Sequence, residues 1–347
     1  MPEDQLRTEI CQEHCRKTRH SSLVKNTRRT GQDITKDIPL QRFEMSAIAA
    51  TSTSSSTTSS SSSTKKRKAS NGTPQPHGIL SQFSLEGRLA LVTGGYGTLG
   101  LHMVRALLEA GATVIILGRS EIKCKQAVSN LKSEGLALCS YLVADVTERP
   151  ELASACELFE TNGLDILVNA AGGNSAGSTV MPEQSFFDMD ELAFKQNVDL
   201  NLMGTVLPCQ IFGSKLNKDR GVIINITSLA ALKPLTRVVA YSSAKAAVDN
   251  FTKWLATEMA QKVSPKIRCN AIAPGFFIAE QNRTLLTNED GSLTARGQTI
   301  MKASPMGRFG DPSELGGPLV WLCSDAASFV TGTTIAVDGG FSGWCAV

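Results

Sequence analysis

No stretch of this 347-residue chain approaches the roughly 18 consecutive apolar residues that a helix needs to cross a bilayer, and its N-terminus lacks the apolar core of a secretory signal. Both absences argue against a membrane-bound or secreted protein, and the expectation is a cytoplasmic one with no membrane partner. Paired cysteine spacing is missing too. The 9 cysteines are scattered, which fits thiols in a reducing compartment and not a disulfide framework. Cys11, His14, Cys15 and His20 lie near one another, but this stretch lacks the second cysteine pair and folded context of a zinc site. No metal is expected.

Net charge is small in the greater part of the chain. The net +3 comes from the beginning: 13 Lys and Arg face 7 Asp and Glu in residues 1–83, whereas 22 face 25 in residues 84–347. A body so balanced carries no basic footprint for nucleic acid. Residues 1–83 are polar, and residues 51–64 are Ser and Thr, a composition that buries too little apolar surface to offset the entropy of ordering. They are read as a disordered leader. Lys65-Lys66-Arg67-Lys68 within it has the form of a nuclear-import patch. Acids are absent between Met45 and Leu85, as in organelle transit peptides, but translation from Met1 puts Glu3, Asp4, Glu9 and Glu13 first. The cytosol is therefore preferred, with nuclear and organellar destinations as alternatives.

From Leu85 onward short apolar runs alternate with longer amphipathic segments, the pattern of βαβ units around a parallel sheet. Strands are predicted at residues 89–93, 113–117, 138–143, 166–169, 222–226, 267–272 and 334–337. Helices are predicted at 99–109, 121–134, 148–160, 190–215, 242–262 and 313–324. Gly111 and Gly135 stand where helix C-caps belong. The fold class is α/β: a single Rossmann-type, doubly wound domain over residues 84–347 with a seven-stranded parallel sheet.

The first predicted strand runs into Thr93-Gly94-Gly95-Tyr96-Gly97-Thr98-Leu99-Gly100 and then a helix, so a glycine-rich turn lies where backbone N–H groups meet a pyrophosphate. After the second strand an NAD-selective site places a carboxylate for the ribose 2′-hydroxyl. That acid is absent. Gly118-Arg119 stands there instead, and a guanidinium suits a 2′-phosphate, which favours NADP over NAD unless Arg119 is only a solvated loop residue. Asp145 and Val146 after the third strand, and Asn169-Ala170-Ala171-Gly172 after the fourth, lie at strand C-termini, where open α/β sheets bind ligands.

Tyr241 and Lys245 are four apart at the start of a predicted helix and so share a face. A nearby ammonium stabilises a phenolate and lowers the ordinary tyrosine pKa of about 10, which equips Tyr241 to exchange a proton with a hydroxyl or carbonyl. Alone, such a pair is as readily a surface pair. Its surroundings change the reading: Ser228 follows the strand 222–226, where its hydroxyl can hold a reacting oxygen, and Asn201 is polar among apolar Val198, Leu200 and Leu202. Asn201 fits either a structural hydrogen bond or a proton relay.

Taken together, Thr93 to Gly100, Asn169 to Gly172, Asn201, Ser228, Tyr241-Ser242-Ser243-Ala244-Lys245 and Pro274-Gly275 resemble the successive motifs of the short-chain dehydrogenase/reductase family, over residues 84–347. The resemblance implies a catalytic tetrad: Asn201 for a water-linked relay, Ser228 for substrate orientation, Tyr241 as acid/base, and Lys245 for ribose binding and pKa lowering. It implies direct hydride transfer between nicotinamide and substrate carbon, cofactor contacts from the segments named above including Pro274 and Gly275, and a homo-oligomer, tetramer or dimer. Thr98 departs from the pattern, standing where the second glycine of Gly-x-x-x-Gly-x-Gly is most frequent.

The segment after Gly275 would form the substrate lid, and with Gly172-Gly173-Asn174 and Asp199-Leu200-Asn201-Leu202 it is similar to the D-mannonate oxidoreductase, or fructuronate reductase, branch. A sugar acid needs a cation for its carboxylate and polar groups for its hydroxyls. Arg283, Gln281, Asn282 and Asn174 supply both, although Arg283 and Arg308 are equally suited to salt bridges within the lid. Other ketose acids such as 5-ketogluconate, and 3-oxoacyl thioesters, are the alternative substrates. A reading of another class is a non-catalytic NADP-sensing module, against which the intact tetrad argues.

Overall fold

The computed structural model describes residues 78–279 and 282–344. The leader up to residue 77 and Gln281 lie outside the described residues. Seven strands form one parallel sheet in the order β3-β2-β1-β4-β5-β6-β7: β1 Leu89–Thr93, β2 Thr113–Gly118, β3 Cys139–Val143, β4 Ile166–Asn169, β5 Val222–Ile226, β6 Arg268–Pro274 and β7 Thr334–Val337. Such strands are covered on both faces and read as nearly unbroken apolar runs. Alternate side chains enter opposite layers. Ala90 and Val92 of β1 pack with helices Thr98–Glu109, Glu121–Ser133 and Gly316–Cys323, whereas Leu91 joins a second core with Arg149–Cys156, Gly204–Phe212 and Val239–Glu258.

Buried polar groups pin the frame. Asp165, almost inaccessible, accepts Leu89 N at 2.9 Å and both Arg220 Nε (2.7 Å) and Nη2 (3.1 Å), tying the lower ends of β1 and β4. Arg268 donates to the Leu322 and Ser324 carbonyls at 2.6 and 3.0 Å, and Arg88 to the Cys323 carbonyl at 3.2 Å, closing a helix end that would otherwise leave acceptors bare. At the other edge of the sheet, Thr93 Oγ1 accepts Ala170 N and Ala171 N, each at 3.2 Å. This stitches β1 to the loop after β4 at the point where strand order reverses, the crevice in which such sheets bind ligands.

The helix expected over residues 190–215 is broken. It runs as Glu191–Val198, a π-helical turn Asp199–Met203, Gly204–Phe212 and a final 3-10 turn. Pro208, which has no N–H to donate, lies inside it, and Gly204 brings it onto Val146, where a Cβ would come 2.9 Å from Val146 Cγ2. Helices Ala295–Ala303, Arg283–Leu286 and Leu229–Leu232 were not anticipated. Residues 79–83, placed in the leader from sequence, form a 3-10 turn. Among the described residues no helix is long and apolar enough to cross a membrane.

Candidate active site

The glycine-rich turn closes on itself. Gly94 has φ +65° and a Cβ there would sit 2.7 Å from Ala171 Cα, so only glycine allows the turn to lie against the loop after β4. A Cβ at Gly100 would run into the Gly94 carbonyl. Gly97 N donates to that carbonyl at 3.0 Å and caps the 12-residue helix Thr98–Glu109, whose first-turn N–H groups face the crevice end of the sheet. Thr98 is the first helical residue and exposed, so its side chain leaves the turn undistorted and Leu99 follows within the helix. Gly100→Ala is expected to cost about 1–3 kcal/mol of stability by overpacking and to weaken cofactor binding at the same time. Thermal melting and an NADPH titration check this, and parental values in both contradict it.

Beside the turn, the Tyr96 ring lies against the end of β2, close enough that a Cβ at Gly118 would strike it. Arg119 comes next, with its side chain 75% exposed and Nη1 at 3.9 Å from Asp145 Oδ2. Asp145 Oδ1 accepts Thr147 N and Oγ1 at 2.9 and 2.7 Å. The side chain of Asn169, a residue expected among the cofactor contacts, turns inward. Its Nδ2 donates to Asn225 Oδ1 at 2.9 Å and lies 3.1 Å from Cys209 Sγ, and its buried Oδ1 has no partner among the described residues. The fully buried residues Asn225 and Thr252 continue this network, which braces β4 against β5. Gly275 N donates to Val337 O at 2.8 Å, and a Cβ on Gly275 would lie 2.5 Å from Asp338 Cα, so Pro274-Gly275 packs tightly on the end of β7.

Tyr241 lies in the first turn of Val239–Glu258, which starts three residues before the predicted position. Ser228 follows β5 by two residues and caps the short helix Leu229–Leu232, its Oγ accepting Ala230 N at 3.1 Å. Burial pushes the Tyr241 phenol above its ordinary pKa, and a hydrogen bond with Ser228 pulls the other way. Desolvation is the larger of the two effects on this phenol. Lys245 is 4% exposed, its Nζ donating to Ile226 O at 2.8 Å and lying 5.8 Å from the Tyr241 ring centre. Burial lowers its pKa to about 8.

Asn201 reaches the same place from the π-helical turn. Its Oδ1 accepts Gly173 N at 2.9 Å, and its Nδ2 meets Gly173 O, Asn197 O and Asn197 Oδ1 at 2.7, 2.9 and 3.0 Å. A Cβ at Gly172 would fall 2.7 Å from Asn201 Oδ1 and 3.1 Å from Lys245 Nζ. Gly172, Asn201 and Lys245 thus converge, and the carboxamide is spent on clamping residues 172–173. Asn197, missed from sequence, extends the arrangement: its Nδ2 lies 2.8 Å from Ser178 Oγ and 3.3 Å from Asn174 Oδ1. Asn174 in turn donates to Thr179 Oγ1 at 2.6 Å.

On the lid side, Asn282 holds its own loop, accepting Ala279 N and donating to Phe277 O, both at 2.8 Å. Arg308 pairs with Glu314 through both guanidinium nitrogens at 2.8 and 2.6 Å, which holds the Glu314 carboxyl down to about 2. Arg308 is thus a lid brace. Arg283 begins the short helix Arg283–Leu286 and is exposed.

A glycine-rich turn on a helix N-terminus at the switch point of a parallel sheet, facing a tyrosine, lysine and serine gathered at the same sheet edge, defines a nicotinamide-dependent oxidoreductase. A family model described as enoyl-(acyl carrier protein) reductase, of the short-chain alcohol dehydrogenase group, matches residues 96–342. The chain belongs to the short-chain dehydrogenase/reductase family. It is 42% identical over 276 residues, spanning 76% of this chain and 98% of the relative, to the uncharacterized oxidoreductase UxuB of Bacillus subtilis (strain 168). A Haemophilus influenza protein described as a putative D-mannonate oxidoreductase and solved with bound NAD superposes with a TM-score of 0.70 at 36% identity, covering 76% of this chain and 98% of that one. A gluconate 5-dehydrogenase from Burkholderia cenocepacia J2315, in complex with NADP and tartrate, gives 0.66 at 31% identity, covering 78% and 100%.

Proposed function

We propose that this oxidoreductase interconverts a keto sugar acid and the corresponding hydroxy acid, D-fructuronate and D-mannonate in the first instance, with NADP(H) preferred over NAD(H). The observation that carries the reaction is the meeting of Lys245 Nζ, Asn201 and Gly172 beside Tyr241. The sugar-acid substrate is supported by the Haemophilus neighbour's assignment and by the polar residues around the site. The Burkholderia neighbour's name supports a 5-keto acid such as 5-ketogluconate as the second reading.

In this account the residues of the crevice hold the cofactor: the turn from Thr93, Gly94 and Gly95 through Gly97 to Gly100 takes the pyrophosphate, Arg119 the 2′-phosphate, and Asp145 with Val146 the adenine side. Lys245 takes the nicotinamide ribose, with Ala170, Ala171, Gly172 and Pro274-Gly275 closing around it. The bound nicotinamide supplies or accepts the hydride. Ser228 holds the substrate oxygen. Tyr241, protonated at neutral pH like any phenol of ordinary pKa about 10, gives its proton to that oxygen as a ketone is reduced and takes one back in the reverse direction. Asn201 fixes the Gly172-Gly173 turn against Lys245 and adjoins the water-linked relay that the family resemblance implies. Assembly into a homo-oligomer, tetramer or dimer, and a cytoplasmic location are part of the same proposal.

The test is turnover of the full-length enzyme with NADPH on a panel of D-fructuronate, 5-ketogluconate, neutral ketoses and a 3-oxoacyl thioester. The highest kcat/KM is expected with D-fructuronate. A preference for the thioester or for a neutral ketose overturns the sugar-acid reading. Cofactor choice has its own variant. A charge-assisted hydrogen bond contributes about 1.5–3 kcal/mol, so Arg119→Ala is expected to narrow the NADPH-over-NADH ratio of kcat/KM by roughly 10-fold. An unchanged ratio contradicts the role of Arg119.

A further inference from the structure

The loop between Ser228 and Tyr241 contains a residue in an unfavourable conformation. Arg237 has φ +75°, one of only two non-glycine residues with positive φ among the described residues. A long side chain adopts that region at a cost, and such strain collects where a binding site demands it. Arg237 is where three segments meet. Its carbonyl accepts Val180 N at 2.9 Å, from the loop that carries Asn174. Its neighbour Thr236 receives a hydrogen bond at 3.2 Å from Arg296 Nη1, on the lid helix Ala295–Ala303. Four residues after Arg237 comes Tyr241.

Arg237 and Arg296 are both half-buried. Burial, and after it the positive charge of Arg237, pull the Arg296 guanidinium below its ordinary pKa, so the two cations feel each other. Among the described residues no carboxylate pairs with either, whereas Arg88, Arg105, Arg220 and Arg308 each have one. Two like charges within electrostatic reach of each other and partly desolvated repel, and an anion between them relieves that repulsion. In a keto sugar acid the carboxylate is several bonds away from the reacting carbonyl, so its partner belongs at the rim of the site and not beside Tyr241. Arg283, the cation expected from sequence, is exposed.

We propose that Arg237 and Arg296 together grip the carboxylate of the substrate and thereby select an acid over its neutral counterpart, an inference that rests on the sugar-acid reading above. Arg237 approaches from the loop before the catalytic helix and Arg296 from the lid, so the anion bridges two segments and draws the lid towards Tyr241. The polar end of the substrate is then fixed at the rim while Ser228 and Tyr241 hold the carbonyl.

The experiment compares D-fructuronate with D-fructose, its neutral counterpart, as substrates of the full-length enzyme. The variants are Arg237→Asn, which tolerates positive φ, Arg296→Gln, and Arg237→Lys as the conservative replacement. Truncating one partner of a hydrogen-bonded charge pair typically costs 30-fold or more. The acid-to-neutral ratio of kcat/KM is expected to fall by roughly that factor in Arg237→Asn and in Arg296→Gln, mainly through KM for the acid, and to be partly restored in Arg237→Lys. Affinity for NADPH, unchanged from the parent, shows that the fold is intact. Calorimetric binding of D-mannonate to the cofactor-free and NADPH-loaded protein, neither of which can oxidise it, gives the same comparison without turnover, with weaker binding expected in both truncated variants. A parental ratio and parental D-mannonate affinity in both variants overturn the clamp. A parent enzyme that prefers D-fructose to D-fructuronate overturns the sugar-acid reading itself, a result distinct from the first.

Discussion

Replacing Tyr241 by Phe is expected to lower kcat by a factor of roughly 10² to 10⁴, the usual contribution of a positioned proton-transfer group, while NADPH affinity stays near the parental value. The substitution removes one oxygen and keeps the ring that packs beside Ser228 and Lys245, so the loss reports chemistry and not folding. The ketone oxygen can still be oriented by Ser228, but the alkoxide formed as hydride arrives has no acid to protonate it. Since the variant removes an interaction made in the transition state, kcat and kcat/KM should fall together. Near-parental turnover would remove Tyr241 from the mechanism. Burial raises the phenol pKa, so reduction should not lose its acid as pH climbs through neutrality.

Lys245→Ala should damage two things at once. Its ammonium is buried with the Ile226 carbonyl as hydrogen-bond partner at 2.8 Å and faces the space beside Gly172. In the proposed mechanism, removing it takes a ribose ligand from the cofactor, and it takes away a cation that lies 5.8 Å from the Tyr241 ring centre. A fall of roughly 10²-fold or more in kcat/KM is expected, together with weaker NADPH binding in a direct titration. The pH profile carries the sharper signature. A lysine whose pKa is lowered to about 8 is charged below that value and neutral above it, so parental kcat/KM for the cofactor should decline as pH rises through about 8. In Lys245→Ala that limb should vanish. A variant that keeps the decline shows that another group titrates there.

Much of the frame was legible because parallel strands covered on both sides announce themselves as apolar runs: β1, β4, β5 and β7 occupy the residues predicted for them. Tyr241, Lys245, Ser228 and Asn201 stand out in the sequence because of their fixed relation to those strands, and the fold brings Asn201 and Lys245 together beside Gly172. What sequence could not show depended on tertiary geometry. The π-helical turn around Asn201 leaves no mark in an apolar pattern that continues on both sides of it. The side chain of Asn169, at the end of β4, faces Asn225 inside the sheet, a bracing contact its place in the sequence does not reveal. Asn282 and Arg308, polar in a polar lid, prove to be occupied by their own loop and by Glu314. Asn197 and Arg296 carried no signal in spacing, and the positive φ of Arg237 is a property of the folded backbone alone. The helix Ala295–Ala303 had one readable cue, Thr294, whose hydroxyl accepts Gly297 N at 3.1 Å as an N-cap.

Direct hydride transfer from nicotinamide to a carbonyl carbon of a sugar acid, at a site organised by Tyr241 and Lys245, is the core of the proposed function. Its most direct test supplies the full-length enzyme with D-fructuronate and NADPH carrying deuterium at the transferable position of the nicotinamide ring, then determines the mass and labelling site of the product. The expected product is D-mannonate bearing one deuterium per molecule, on the carbon that was the ketone, formed in step with cofactor oxidation. An unlabelled product, or no product from a protein that binds NADPH, would contradict it.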